Sequence, residues 1–258
     1  MQEMKKISIL IIAHNEERII ARAIRSVEFA DEVILVDNGS IDNTVEIARK
    51  LGAKVISLNV NKSYSEAKKI GLSHCENEWI LWLDSDEQIT AELAGEIVDA
   101  VNNPKECNAF RLPRKSFFIR KWIRHCGWYP DYVLRLFKRE NAEFSDDLVH
   151  ESVKIKGRSG VLKSNILHYT APSLNVFLEK QIRYAFLAGE QISRKGKRVS
   201  LTQIVIHSFW AFVKMYIIKF GFLDGLEGFI ISSINAFYVL IKYANAFYLQ
   251  RKATHGES

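Results

Sequence analysis

The sequence predicts an α/β fold, with a mostly parallel sheet flanked by helices and an apolar helical extension at the C-terminal end. Apolar runs rich in Ile, Leu and Val alternate with segments of helical periodicity over residues 1–103. Three of these runs end in polar clusters, and residues 201–249 contain two strongly apolar segments. Because alternating strands and helices build parallel sheets, we expect helices on both faces of the sheet.

Each strand of this sheet is predicted from a continuous apolar run, because a parallel strand is buried on both faces. The predicted strands are 6–13, 32–37, 53–58 and 78–84. The predicted helices are 16–30, 43–51, 63–74 and 91–101. Residues suited to capping precede the last three helices, namely Asp42, Ser63 with Glu66 at capping-box spacing, and Thr90.

Polar residues follow three of the strands, at 14–16, 37–40 and 84–86. The carboxyl ends of parallel strands meet at one edge of a sheet, and ligands bind in the crevice beyond that edge. We therefore expect these three clusters to line one binding site.

The second part of the chain changes character. Short alternating pieces over 104–170 predict mixed or antiparallel strands, and a long helix is predicted over about 173–194. The apolar segments 201–222 and 228–241 are interrupted by charges before they reach the roughly 18 to 20 residues that span a bilayer. We expect a monotopic or re-entrant helical hairpin, with packing on the α/β domain as the alternative.

The composition indicates a globular intracellular protein with an anionic partner. The net charge is +6, and basic residues alternate with aromatic residues over 111–125. Because no nucleic-acid-binding signature accompanies them, we expect an anionic lipid surface and no nucleic acid. The three cysteines are far apart, which predicts neither a disulfide framework nor a zinc site. The N-terminal apolar run is too short for a signal peptide and is predicted as a strand.

The acidic cluster after the fourth strand predicts a metal site. Asp84 and Asp86 stand two residues apart, and two carboxylates in one pocket repel each other unless a cation joins them. Mg²⁺ or Mn²⁺ suits such oxygen ligands and keeps phosphate oxygens among its other ligands. We expect a divalent metal that holds a diphosphate.

Several motifs together resemble the family 2 glycosyltransferases, which have the GT-A fold. They are SILIIAHNEE, VILVDNGSIDNTVEIA and WILWLDSDE. The stretches WYPDYVLRLFKRENAEFSDDLVHESV and YIIKFGFLDGLEGFIISSINAFY are similar to the lipopolysaccharide-core glucosyltransferase branch. The resemblance implies a catalytic domain over 1–172, with a nucleotide-binding half (1–103) and an acceptor half (104–172). Residues 173–258 are then a helical, membrane-associated extension.

The resemblance implies a nucleoside diphosphate sugar as donor, such as a UDP-sugar. The positions implied to bind the donor nucleotide are Asn15, Glu16, Asp37, Lys68 and Asp84, with Asp86 as the metal ligand. Asn38 stands where the family often has a second Asp. Lys69 stands where it often has Asn, which leaves the choice between Lys68 and Lys69 open.

The implied reaction is a single displacement with inversion, in which an acceptor hydroxyl attacks the anomeric carbon. A carboxylate must take the proton of that hydroxyl. Asp147 is the favoured base and Glu151 the second candidate, while His150 is a candidate contact to the diphosphate or metal.

Three residues before this acidic segment are candidates for acceptor or phosphate binding. Trp128 could stack on a sugar, Asp131 could bind sugar hydroxyls, and Arg135 could reach a phosphate. The alternative is that the aromatic residues belong to the core and the arginines to the surface.

The sequence thus predicts a glycosyltransferase that acts on a lipopolysaccharide-core or other lipid-linked glycan. We expect it in the cytoplasm, peripherally bound to the inner face of the cytoplasmic membrane. The alternatives are transfer to a polyprenyl phosphate, a sugar-phosphate nucleotidyltransferase and a non-catalytic membrane-docking protein. The nucleotidyltransferase is disfavoured because no glycine-rich loop follows the first strand.

Overall fold

A ten-stranded mixed sheet organises the larger part of the protein. The computed structural model describes residues 5–58, 63–144 and 153–255. The strands are β1 (Ile7–Ala13), β2 (Glu32–Asp37), β3 (Lys54–Ser57), β4 (Trp79–Asp84), β5 (Glu87–Ile89), β6 (Cys107–Phe118), β7 (Lys121–Trp122), β8 (Asp131–Lys138), β9 (Ala142–Phe144), β10 (Val153–Ile155), β11 (Arg158–Val161) and β12 (Ile166–Ala171). The helices are α1 (Ile20–Arg25), α2 (Thr44–Lys50), α3 (Tyr64–His74), α4 (Ala91–Asn102), α5 (Leu174–Arg194), α6 (Leu201–Val213) and α7 (Gly225–His255).

The first half of the sheet is parallel, as predicted. Its strand order is β3-β2-β1-β4, and every residue of β1 is buried. β1 lies between β2 and β4, so the chain order reverses beside it. Such a reversal opens a crevice at the carboxyl ends of the strands, where ligands of α/β proteins bind.

The two faces of β1 bury different helices. Ile9 and Ile11 belong to an apolar cluster with residues of α1 and α4, whereas Leu10 belongs to a second cluster with residues of α3. Gly71 lets α3 approach the sheet closely, since a Cβ atom there would collide with Leu10. The α/β layering follows from this alternation of side chains along a strand.

The second half of the sheet is mixed, also as predicted. The order continues β8-β6-β12-β5, with antiparallel pairing of β4 with β8, β6 with β8, and β5 with β12. β9 and β10 form a separate antiparallel pair. β5 was not predicted, because it has only three residues and follows the acidic turn directly.

The helix caps confirm most of the predicted boundaries. Ser63 and Glu66 form a reciprocal capping box, and the Thr90 side chain accepts from the backbone N–H of Leu93. Asp42 accepts a hydrogen bond from the backbone N–H of Thr44, the first residue of α2, but the N-cap position is Asn43, so the predicted capping role of Asp42 was wrong by one residue. The predicted helix over 16–30 was too long, since regular helix is confined to α1 and turns flank it.

The chain divides into two compact units. Unit 1 comprises Met1–Lys115 and Asp131–His168, and unit 2 comprises Ser116–Pro130 and Tyr169–Ser258. Unit 2 has its own apolar cluster of Phe118, Ile123, Cys126, Phe177 and Ile231. The division differs from the sequence-based boundary at 172, because 116–130 packs with the C-terminal helices.

The C-terminal helices are longer than predicted. A π-helix (Lys214–Ile218) continues α6, and a 3₁₀ turn (Gly221–Asp224) leads into α7. The apolar helical segments Leu201–Ile218 and Gly221–Lys252 have 18 and 32 residues, which suffices by length and composition to cross a membrane. The expectation that neither is long enough was wrong, because the helices continue past Lys214 and Lys242, where the uncharged runs end.

Candidate active site

Three strand ends meet at one edge of the parallel sheet, as predicted. The last residue of β1, Ala13, lies opposite Asp37 of β2, and the preceding Ile12 lies opposite Asp84 of β4. One strand separates the two aspartates, which corresponds to about 10 Å between their backbones. The two acids therefore border the crevice from opposite sides of β1.

Hydrogen bonds join the loops that follow β1 and β2. Asn15 has a left-handed backbone with φ of 58°, its N–H donates to Ser40 Oγ, and its side-chain oxygen accepts from the N–H of Ile41. The N–H of Ser40 donates to the buried carboxylate of Asp37. The N–H of Glu16 donates to Thr44 Oγ1 at 2.7 Å. The predicted nucleotide-binding residues Asn15, Glu16 and Asp37 thus share one connected loop pair.

A buried arginine joins the acids at the other side of the crevice. The guanidinium of Arg135, only 4% exposed, donates to Asp84 and to Glu87, with 2.8 Å to Glu87 Oε1. Glu87 is fully buried, and its second oxygen accepts from the backbone N–H of Asp84 at 3.1 Å. Arg135 was expected to reach a phosphate, but in this geometry it holds the two carboxylates of the acidic turn.

The ion pairs continue to the start of β8. Arg114 donates to Glu87 at 3.4 Å, and through two nitrogens to Asp131 Oδ2 at 2.9 and 2.6 Å. Asp131, expected to bind sugar hydroxyls, is therefore engaged by Arg114. The result is a chain of alternating charges, from Asp131 through Arg114, Glu87 and Arg135 to Asp84.

The surroundings favour the charged forms of Asp84 and Arg135. Burial opposes ionisation of Asp84, but the charge and hydrogen bonds of Arg135, and then the charge of Lys68, outweigh it and lower the pKa of Asp84. Burial also opposes the charge of Arg135, and Asp84 and Glu87 outweigh it and raise the pKa of Arg135. Asp84 is therefore ionised at neutral pH, and Arg135 is charged.

Lys68 lies beside the same turn. Its side chain is buried, and Nζ lies 3.7 Å from the centroid of the Trp82 ring, which Arg135 also contacts at 4.2 Å. Lys69 is exposed. Between the two lysines that the sequence left open, the geometry favours Lys68.

Asp86 lies beside an imidazole. Its Oδ2 is 3.4 Å from Nε2 of His168 on β12, and the two side chains are 20% and 14% exposed. Two neighbouring ligands of one octahedral ion stand about 3 Å apart, so this pair fits two positions around a divalent cation. The carboxylate oxygen of Asp86 suits Mg²⁺ or Mn²⁺, and the imidazole nitrogen of His168 is a common ligand of transition metals. In the part of the chain that the structure describes, no cluster of three or more metal-ligand side chains occurs.

Several predicted residues are not part of this geometry. Asp147, Glu151 and His150 lie outside the described residues, which exclude 145–152. Trp128 belongs to unit 2, where its ring packs against Phe118 and Phe177. For Trp128 this agrees with the alternative that the aromatic residues belong to the core.

The cysteines take no part in the site. All three are free and buried. Burial raises the pKa of Cys75 to about 12 and that of Cys126 to about 11, so both thiols stay protonated at neutral pH.

Sequence reasoning missed three residues of the site: Glu87, Arg114 and His168. Glu87 carried a usable signal, since a third acid directly after Asp84 and Asp86 must find a cation when it is buried. Arg114 and His168 carried none, because their partners lie 17 to 82 residues away in the sequence.

The charge chain makes a prediction about stability. Glu87→Gln leaves Arg135 buried with one carboxylate fewer, and breaking a buried ion pair costs about 3–5 kcal/mol. We expect urea unfolding to show a loss of that order. Glu106→Gln is the matched control, because Glu106 is 89% exposed and 4.0 Å from Arg158, so its change should stay within about 0.5 kcal/mol. Equal effects of the two substitutions would contradict the charge chain.

Comparison with known proteins gives relatives over most of the chain. An uncharacterized glycosyltransferase of Rickettsia typhi is 33% identical over 255 residues, which cover 93% of this chain and 86% of the relative. A lipopolysaccharide core biosynthesis glycosyltransferase of Rhizobium meliloti is 24% identical over 252 residues, with coverage of 93% and 92%.

A solved structure has the same fold. A mannosyltransferase from Pyrobaculum calidifontis, in complex with GDP-Man and Mn²⁺, matches with a TM-score of 0.57 at 12% identity, covering 96% of this chain and 89% of the mannosyltransferase. At this identity the likeness concerns the fold alone. The predicted GT-A fold is confirmed.

The family assignment follows from the sequence model of one family. The model for glycosyl transferase family 2 matches residues 8–159, more than half of the chain. The matched region contains β2, β4, β5 and all of β1 except Ile7, with the acids at the ends of these strands. The chain therefore belongs to glycosyl transferase family 2.

Proposed function

We propose that the protein transfers a sugar, with inversion, from a nucleoside diphosphate sugar to a hydroxyl of a lipopolysaccharide-core or other lipid-linked glycan. The observation that carries the proposal is the meeting of Asp37, Asp84 and the Asp86–His168 pair at one edge of a parallel sheet. The lipopolysaccharide core is suggested by the name of the Rhizobium meliloti relative.

The donor nucleotide would bind across the end of β1. The Asp37 carboxylate, fixed by the N–H of Ser40, is available for hydrogen bonds to ribose or base hydroxyl and N–H groups. Asp84 lies on the far side of β1, and its side chain is 39% exposed beside Arg135. Asn15 and Glu16 border the same opening, and Lys68 adds positive charge near the phosphates.

Asp86 and His168 would hold the divalent metal, Mg²⁺ or Mn²⁺. The bound ion supplies charge neutralisation for the departing diphosphate. The mannosyltransferase with the same fold was solved in complex with GDP-Man and Mn²⁺. Asp84, already compensated by Arg135, contributes less to metal binding than Asp86 and more to orienting the nucleotide.

The transfer step needs one proton acceptor. The oxygen of the acceptor hydroxyl bonds to the anomeric carbon while the bond from that carbon to the diphosphate oxygen breaks, and the hydroxyl proton passes to a carboxylate. We assign this role to Asp147, with Glu151 as the alternative. His150 would contact the diphosphate or the metal.

A lipid-linked acceptor would require the enzyme to work at a membrane, and the surface of the C-terminal helices supports this location. Exposed apolar residues of α6 and α7 include Phe209, Trp210 and Leu226, at 69%, 51% and 68% exposure. Surfaces of this kind mark contact with lipid or with another protein. We propose peripheral association with the inner face of the cytoplasmic membrane, where lipid-linked glycans are accessible.

Metal-dependent donor binding tests this function. Asp86→Ala and His168→Ala should each weaken Mn²⁺-dependent binding of UDP- and GDP-sugars, measured by calorimetry, and should abolish slow donor hydrolysis. Removing one metal ligand or its support typically costs 10- to 100-fold in metal affinity.

Glu96→Ala is the control, because Glu96 lies on α4 and accepts hydrogen bonds from the backbone N–H groups of Lys163 and Ser164, not from a residue at the strand ends. Wild-type protein that binds no sugar nucleotide in the presence of Mn²⁺ would refute the proposed function.

The nature of the acceptor makes a second prediction. A polyprenyl phosphate is already ionised and needs no base, whereas a sugar hydroxyl does. With a hydroxyl acceptor, Asp147→Asn or Glu151→Gln should lower the transfer rate by 10²- to 10⁴-fold without changing donor affinity. Near-normal transfer by both variants would favour the polyprenyl phosphate instead.

A further inference from the structure

We propose that unit 2 lies in the plane of an anionic membrane surface, and that one corner of it binds anionic lipid headgroups. The corner consists of residues 119–127 and 219–227. The inference rests on the membrane association proposed above and deepens it, because it states the orientation of the helices and the chemistry of the lipid.

Hydrogen bonds build the corner from two distant stretches of the chain. Asp224, only 3% exposed, accepts from the backbone N–H groups of Arg124 and His125 at 3.2 and 2.8 Å, and lies 3.2 Å from His125 Nδ1. The N–H of Cys126 donates to the carbonyl of Lys219 at 3.0 Å. The turn between the two apolar helices is thereby fixed against a basic loop.

The acids of the corner are engaged within it, whereas most of its cations are not. Asp224 accepts hydrogen bonds from the loop backbone, and Glu227 forms an ion pair with Lys121 at 2.8 Å. Arg120, Arg124 and Lys219 are exposed, and no carboxylate among the described residues forms an ion pair with them. The corner therefore presents a surplus of positive charge to solvent.

Exposed apolar side chains accompany these cations. Phe220, Phe222, Leu223 and Leu226 are 55%, 45%, 59% and 68% exposed, and the Arg124 guanidinium lies 4.3 Å from the centroid of the Trp122 ring. Aromatic and aliphatic groups beside cations are typical of protein at the headgroup level of a bilayer with anionic lipid. This combination favours lipid over a protein partner.

The neighbouring helix argues against a membrane-spanning hairpin. α5 packs along α7, since Asn245 donates to the carbonyl of Phe186 at 3.0 Å and a Cβ on Gly189 would be 2.7 Å from the carbonyl of Lys242. α5 carries five charged residues, namely Glu179, Lys180, Arg183, Glu190 and Arg194. If α7 crossed the bilayer, it would carry these charges into the hydrocarbon, which is strongly unfavourable. An in-plane hairpin keeps them in water.

Vesicle binding of the full chain tests the lipid chemistry. Wild-type protein should bind phosphatidylcholine vesicles that contain phosphatidylglycerol more tightly than vesicles of phosphatidylcholine alone, and added salt should weaken that preference. The triple variant R120Q/R124Q/K219Q should lose roughly fivefold in affinity for each cation, on the order of a hundredfold in all. The control R22Q/R25Q/R49Q removes three exposed charges from α1 and α2 and should change little.

Equal losses in the two triple variants, or binding that ignores lipid charge, would overturn the corner as the headgroup site. Extraction of native membranes with alkaline carbonate tests the orientation: release of the protein supports the in-plane hairpin, and retention overturns it. Donor hydrolysis is measured on the same samples. If the protein hydrolyses the donor but binds anionic and neutral vesicles equally well, this inference is rejected and the proposed glycosyl transfer still stands.

Discussion

The guanidinium of Arg135 holds together the part of the molecule on which the active site depends. Its ion pairs join β8 to Asp84 at the end of β4 and to Glu87 of β5. A buried charge is tolerated only when it is paired and hydrogen-bonded, so each member of this group requires the others. The acidic turn between β4 and β5 thus owes its shape to a residue some 50 positions later in the chain.

The two aspartates of the acidic turn have different surroundings and are therefore suited to different roles. Asp84 faces Arg135 and Lys68, which lower the pKa of Asp84 and offset its charge. Asp86 instead faces His168, whose imidazole can also bind a metal. One acid is therefore fixed by protein cations, and the other remains suited to an external cation. In the proposed donor site, the positive charge of Arg135 and Lys68 and a metal ion held by Asp86 would offset the negative charge that the phosphates bring to the same edge.

Local pattern predicted the parallel half of the sheet, because continuous apolar runs such as Ile7–Ala13 record burial on both faces. The same pattern placed Asp37 and Asp84 at one edge of the sheet, because alternating strands and helices build a parallel sheet whose strands all end at that edge. It could not predict β5 or the pairing of Glu87 with Arg114 and Arg135, because these depend on side chains brought together by the sheet. The length of α7 was not predicted, because the apolar segment was assumed to end before Lys242. A lysine can lie within an apolar helix when its side chain reaches out and keeps the ammonium group in water.

The most direct test of this account is the Mn²⁺-dependent affinity of the Arg135→Lys variant for UDP and GDP, measured by calorimetry on protein whose circular dichroism matches wild type. Lysine keeps the positive charge but lacks the planar fork that reaches Asp84 and Glu87 together. We expect the affinity for the preferred nucleotide to fall by about 10-fold or more, since the acidic turn loses its fixed geometry. An affinity equal to that of wild type would contradict the claim that this buried arginine organises the donor site.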